Sequence, residues 1–248
     1  MGYQRSPREA SEVSKADLES KLRSEIISFG KKMVKLGLVF GSEGNISVKL
    51  PGKGYLITPS MVDYEEMKEE DIVLVDEEGN VLSGYRKPSI ETPIHLAVYK
   101  ARKDVNAVIH SHPTFSTVVA ILGLKIPPIV EEMIPFLGGE LVTSEYGIPG
   151  SEELANNVVK ALGNKNAVFI ANHGLLACGS SLKDALRNTM LAERIARVFV
   201  LSSLLGKPRE LPEDSIGFQL DLFRRLHKMK ERSHVYPENR LKVYESKF

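Results

Sequence analysis

The chain has 248 residues, 42% apolar and 26% charged, which is enough to bury one sizeable core, and no Pro/Gly/Ser-rich linker divides it into halves of different composition. Its 33 basic and 32 acidic residues are scattered and leave a formal charge of +1, so there is no field to hold a nucleic acid. A single cysteine, Cys178, excludes an intramolecular disulfide, and no signal core or apolar run of membrane-spanning length is present, so a cytoplasmic protein without membrane contact is expected.

Residues 1–13 are polar and are expected to form a flexible N-terminal segment ahead of one domain over 14–248. Leu18, Leu22, Ile26, Phe29, Met33 and Leu36 then recur every three or four residues, the apolar stripe of a helix that Gly37 ends. Short β-like runs follow at Ile46–Leu50, Tyr55–Thr58 and Ile72–Val75, separated by Pro51-Gly52, Pro59-Ser60 and the Glu78-Gly79-Asn80 turn. Such short intervals suit antiparallel pairing and leave no room for βαβ crossovers.

Thr92-Pro93 opens a helix over about 93–102, where proline's missing N–H costs nothing. Ala107-Val108-Ile109 reads as a strand ending at His110. Further helices are predicted near 114–122, 151–162 and 181–204, the last begun by Ser181 with Asp184 in a capping-box pattern. Strands at Ala167–Ala171 and Leu175–Cys178 lie between the last two, and a helix near 214–231 precedes a charged tail. The reading is an α/β chain with helices covering a mixed or mainly antiparallel sheet. A doubly wound nucleotide fold is disfavoured, because neither G-x-G-x-x-G after the first strand nor a phosphate-binding lysine loop is present.

The clearest chemical signal is His110-Ser111-His112-Pro113, since residues two apart on a strand share a face and can present two imidazoles to one ion. Two surface histidines at a strand end would look the same. His173, in Asn172-His173-Gly174, sits between two apolar runs where glycine permits a tight reversal or close approach; it is a third ligand or a turn-capping histidine. Glu91 precedes the Thr92-Pro93 helix start and is either a ligand or an N-terminal cap favoured by the helix dipole. His95, on the same helix face, reads as packed or supporting rather than ligating. Three imidazoles and a carboxylate suit zinc, with manganese or cobalt as alternatives. Cys178 reads as core filling.

The phrases Gly41-Ser42-Glu43-Gly44-Asn45-Ile46-Ser47, Ile57-Thr58-Pro59-Ser60, Lys87-Pro88-Ser89-Ile90-Glu91, Val108-Ile109-His110-Ser111-His112 and Asn172-His173-Gly174-Leu175 occur in that order over about residues 18–205. In this the chain resembles the class II aldolase/adducin family, and within it the aldolases that act on ketose 1-phosphates such as L-fuculose 1-phosphate. The resemblance implies an α/β/α layered single domain with a mainly antiparallel central sheet, assembled as a homotetramer with sites at subunit interfaces. It implies zinc on His110, His112 and His173, with Glu91 as both resting ligand and general acid/base, and substrate phosphate against Gly44, Asn45, Ser60 and Ser89. The implied reaction is cleavage of a ketose 1-phosphate to dihydroxyacetone phosphate and an aldehyde.

Two departures from the family pattern stand out. Met61 and Ile90 follow Ser60 and Ser89 where the aldolases carry a glycine and a second serine, which predicts an altered anion site. Where those aldolases place a proton-donating tyrosine, the Glu131-Glu132 pair stands, and Glu132 resembles the catalytic glutamate of the methylthioribulose-1-phosphate dehydratases of the same superfamily. The dehydratases lack the counterpart of Glu91 and the ribulose-phosphate 4-epimerases have aspartate there, so aldolase is the first reading and these two are alternatives. A noncatalytic adducin-like scaffold is a third. Tyr146, Tyr236 and Tyr244 are candidate substrate-lining residues.

Overall fold

The computed structural model describes residues 7–233, which leaves Tyr236 and Tyr244 outside the described residues. The elements run α1 (Pro7–Lys35), β1 (Asn45–Leu50), β2 (Gly54–Ile57), β3 (Val73–Val75), β4 (Val81–Ser83), α2 (Thr92–Ala101), β5 (Ala107–Ser111), α3 (Thr114–Ile121), α4 (Glu152–Leu162), β6 (Ala167–Ile170), β7 (Gly174–Gly179), α5 (Leu182–Leu205) and α6 (Glu213–Ser233). The first helix begins at Pro7, inside the segment expected to precede the domain. Three elements were not foreseen: a 3-10 turn over Glu69–Asp71, the short strand β4, whose three residues are all exposed, and a π-helical turn over Met133–Leu137.

All seven strands form one sheet in the order β4-β3-β2-β1-β5-β7-β6, and every neighbouring pair is antiparallel. The alternation of each strand divides its side chains between two apolar layers. On one face Tyr55, Ile57, Val73, Val75, Val108, Val168, Leu176 and Cys178 pack against Ile94, Val98 and Tyr99 of α2 and Leu154, Val158 and Leu162 of α4. On the other, Ile46, Val48, Leu56 and Ile109 meet Ile26 and Met33 of α1 and Leu186 of α5. That layer continues where Phe169, Leu175 and Ala177 meet Val119 of α3 and Ile195 of α5. The α/β/α layering is therefore present, with a sheet that is antiparallel throughout. Among the described residues no helix is long and apolar enough to cross a membrane.

Local chemistry explains several boundaries. Ser151 and Ser181 cap α4 and α5, their hydroxyls accepting from the N–H groups of Leu154 and Asp184. Cys178 is fully buried in β7, and that burial pushes its thiol up to about 12, as suits a core residue. Gly44 precedes β1 with φ +68°, and a β-carbon there would fall 2.5 Å from the His110 carbonyl oxygen, so the chain passes β5 at this point only without a side chain.

Candidate metal centre

Four side chains converge at one end of the sheet. His110 is on β5 and His112 just beyond it, brought to one side by the strand's two-residue period. His173 arrives from the tight turn between β6 and β7, and Glu91 from the residue before α2. In that turn Asn172, at φ +55°, adopts the left-handed conformation, while Gly174 serves the close approach: a β-carbon there would meet the Ser111 carbonyl oxygen at 2.5 Å. The three imidazoles surround a common point, with ring centroids 4.7 to 4.8 Å apart.

The donor atoms fit a metal ion. One ligand atom from each of Glu91, His110, His112 and His173 lies within 4.8 Å of every other. His110 Nε2 is 3.1 Å from Glu91 Oε2 and 2.9 Å from His112 Nε2, and His173 Nε2 is 3.5 Å from Glu91 Oε1. Tetrahedral zinc with bonds of about 2.0–2.1 Å would space its ligands roughly 3.3 Å apart. The Nδ1 of His110 lies 3.0 Å from the Leu175 carbonyl oxygen, which can only accept; Nδ1 therefore carries the proton and Nε2 presents its lone pair to the site. Glu91 Oε1 is buried without a hydrogen-bond partner, an orphan that a cation would satisfy.

The electrostatics point the same way. Burial works against ionisation of Glu91, but the adjoining His110, then His173 and the Asn45 amide, outweigh it and hold the carboxyl well below its usual range. Burial, reinforced by the neighbouring His110, lowers His173 and lowers His112 to about 3. The set at neutral pH includes an ionised carboxylate and neutral imidazoles at His112 and His173, the protonation states that a divalent ion requires.

Although Glu91 is the N-cap residue of α2, its side chain makes no capping bond and turns into the site. The expected phosphate residues are stitched together beside it. Pro59 pairs with Pro88, the Ser60 hydroxyl and N–H donate to the carbonyls of Pro88 and Lys87, and the Ser89 N–H donates to Thr58 O. The Thr58 hydroxyl in turn accepts from the Ile46 N–H, which ties in the Gly44-Asn45 segment. The Ser89 hydroxyl accepts from the Glu91 N–H. Asn45 is 97% buried, and its side chain bridges Glu91 and His95. Met61 adopts φ +57°, and both Met61 and Ile90 are exposed.

Glu132 stands apart from the metal cluster, partly exposed on the surface and 3.6 Å from Arg194 of α5. Tyr146 is exposed. Sequence reasoning missed Glu193 of α5, whose carboxylate accepts from the N–H groups of Phe115 and Ser116 and from the Ser116 hydroxyl. It thereby holds the start of α3, two residues beyond His112-Pro113. No local signal marks it, because the contact joins elements about 77 residues apart.

Residues 24–200 match the family described as the class II aldolase and adducin N-terminal domain. The 5-deoxy-D-ribulose 1-phosphate aldolase of Bacillus thuringiensis serovar kurstaki is 36% identical over 200 residues, covering 80% of this chain and 93% of that protein. The L-fuculose phosphate aldolase of Escherichia coli K12 is 36% identical over 207 residues, covering 83% and 95%. A solved structure of an L-fuculose 1-phosphate aldolase superposes with a TM-score of 0.79 at 38% identity, covering 82% of this chain and 96% of that one.

Proposed function

Since the chain belongs to the class II aldolase and adducin family, we propose that it is a divalent-metal aldolase that cleaves a ketose 1-phosphate to dihydroxyacetone phosphate and an aldehyde. The observation that carries this reading is the buried Glu91, its Oε1 without a hydrogen-bond partner, clustered with three histidines, a set that a noncatalytic scaffold does not need. The names of the two relatives direct the substrate reading to L-fuculose 1-phosphate and 5-deoxyribulose 1-phosphate.

His110, His112, His173 and Glu91 would hold the ion, zinc by the donor set, with manganese or cobalt able to replace it. When bound, the ion supplies Lewis acidity at the substrate carbonyl, which lowers the cost of the negative charge left when the carbon–carbon bond breaks. Glu91 is the proton carrier: freed when substrate binds, its carboxylate takes up a proton from solvent and delivers it to the carbon left by cleavage, and in the reverse direction it removes that proton. The phosphate is anchored by Gly44, Asn45, Ser60 and Ser89, whose segments meet beside Glu91, and the Ser89 hydroxyl, which accepts from the Glu91 N–H, keeps its own proton to donate. Glu132 handles the proton at the aldehyde oxygen. Its surface position suits action on a neighbouring copy's centre, in a homotetramer with sites at subunit interfaces, working in the cytoplasm.

The test is metal content on protein purified without a histidine tag, together with release of triose phosphate from a panel of ketose 1-phosphates that includes both named substrates. About one zinc per chain with dihydroxyacetone phosphate released is the expected result. Metal without release overturns the aldolase in favour of dehydration or epimerisation, and no metal returns the scaffold. Undiminished cleavage by a metal-loaded Glu91→Ala variant removes Glu91 from its role.

A further inference from the structure

A chain of buried polar groups leads away from Glu91 between α2 and β1. Glu91, the N-cap of α2, and His95 and Tyr99 within it are spaced four residues apart, while Asn45 and Ser47 are two apart on β1, and the two sets interleave. Asn45 Nδ2 lies 2.9 Å from Glu91 Oε2, Asn45 Oδ1 2.5 Å from His95 Nε2, His95 Nδ1 2.6 Å from Ser47 Oγ, and Ser47 Oγ 2.8 Å from the Tyr99 hydroxyl. The match is geometric: four helical residues rise about 6 Å and two strand residues about 6.8 Å, so the rungs stay in step over this length.

The chemistry of the first rung orients all the others. An ionised carboxylate only accepts, so Asn45 must turn its NH2 toward Glu91 and its oxygen toward His95. That oxygen also only accepts, so His95 must carry its proton on Nε2. Nδ1 is then an acceptor, Ser47 donates to it, and Ser47 receives from Tyr99. Ser47, His95 and Tyr99 are at most 2% exposed and sit among the apolar residues between α2 and the sheet. Packing alone would be served by apolar side chains there, since each buried polar group must find its partner or destabilise the fold.

We propose that His95 is a positioning residue that acts through Asn45: it locks the amide with its donor toward Glu91 and so fixes the orientation of that carboxylate at the metal centre. The proposal rests on the reading of Glu91 as metal ligand and proton carrier. Without His95 the Asn45 oxygen loses its anchor, so the amide can swing about its remaining bond to Glu91 and no longer holds the carboxylate in one orientation. Glutamine at 95 keeps a donor and an acceptor; leucine fills the space and keeps neither.

Two measurements without substrate test this. Long-range nitrogen–proton NMR of the metal-free protein should show His95 as the neutral Nε2–H tautomer, and an Nδ1–H tautomer overturns the relay. Zinc affinity should fall roughly 10–100-fold in His95→Leu, the usual effect of removing a supporting group around a metal site, and should recover in large part in His95→Gln. Equal affinity in wild type and a folded His95→Leu variant overturns the proposal, as does equal impairment of the two variants, which would reduce His95 to a space-filling residue. Should no ketose phosphate be cleaved, the aldolase reading falls while these two measurements still decide the role of His95. With cleavage established, kcat should follow zinc affinity across the three proteins at saturating metal.

Discussion

A β-carbon on Gly174 would lie 2.8 Å from Cδ2 of His112 and closer still to the Ser111 carbonyl oxygen. The glycine thus lets the turn that carries His173 close onto the strand end that carries His112. Gly174→Ala should destabilise the fold by about 1–3 kcal/mol, since backbone rather than a flexible side chain must move. It should also weaken zinc binding at least tenfold. Denaturation midpoints and a metal titration check both effects.

Met61 holds φ +57° with its side chain 90% exposed, so it bears the strain of a left-handed backbone and has little packing to lose. Met61→Gly should therefore stabilise the protein by about 0.5–1 kcal/mol, the left-handed penalty less the extra chain entropy of glycine. Chemical denaturation reads this directly. A loss of stability would mean that the methionine makes contacts that outweigh its strain.

Burial, with the nearby His110 as second cause, holds His95 neutral by lowering it from 6.5 to about 3. The unfolded chain binds that proton below pH 6.5 and the folded chain does not, so the folded state is favoured above pH 6.5 and loses stability as pH falls through that window. The slope from this group approaches about 1.4 kcal/mol per pH unit. Unfolding of the metal-free protein between pH 6.5 and about 3 should show it, and His95→Gln should flatten it.

Glu193 receives two backbone N–H groups and a hydroxyl at the start of α3. Glu193→Gln removes the charge but keeps one acceptor, and should cost about 1 kcal/mol of stability. Because α3 follows directly on His112-Pro113, zinc affinity should fall as well. An unchanged affinity would show that Pro113 alone fixes His112.

The parts of this structure legible in the sequence are those with a local signature. Helices α1 to α6 announced themselves by apolar spacing and caps, and His110-x-His112 by the two-residue strand period. Strand β4 escaped because none of its three residues is buried, so burial imposed no alternation on them. The π-helical turn escaped because Pro135 interrupts any helical pattern there. Glu91 could be read equally as a cap, and only its side-chain direction excludes that. Asn45 entered only as an implied phosphate contact, and that its side chain also joins Glu91 to His95 had no local signal. Ser47 stood in a family phrase with no role attached and Tyr99 carried no mark, since their roles arise only when α2 is laid on β1.

The register of β1 on β5 sets Asn45 opposite His110 and Ser47 opposite Val108. A slip of one residue would turn Asn45 and Ser47 to the α1 side of the sheet and put Ile46 in their place. A misregistered chain would therefore lack the support for Glu91 and could not hold the ion equally well. Metal present during folding would draw the population toward the correctly paired sheet by mass action, so that the ligand of the finished site also proofreads the assembly of the strand pair beneath it.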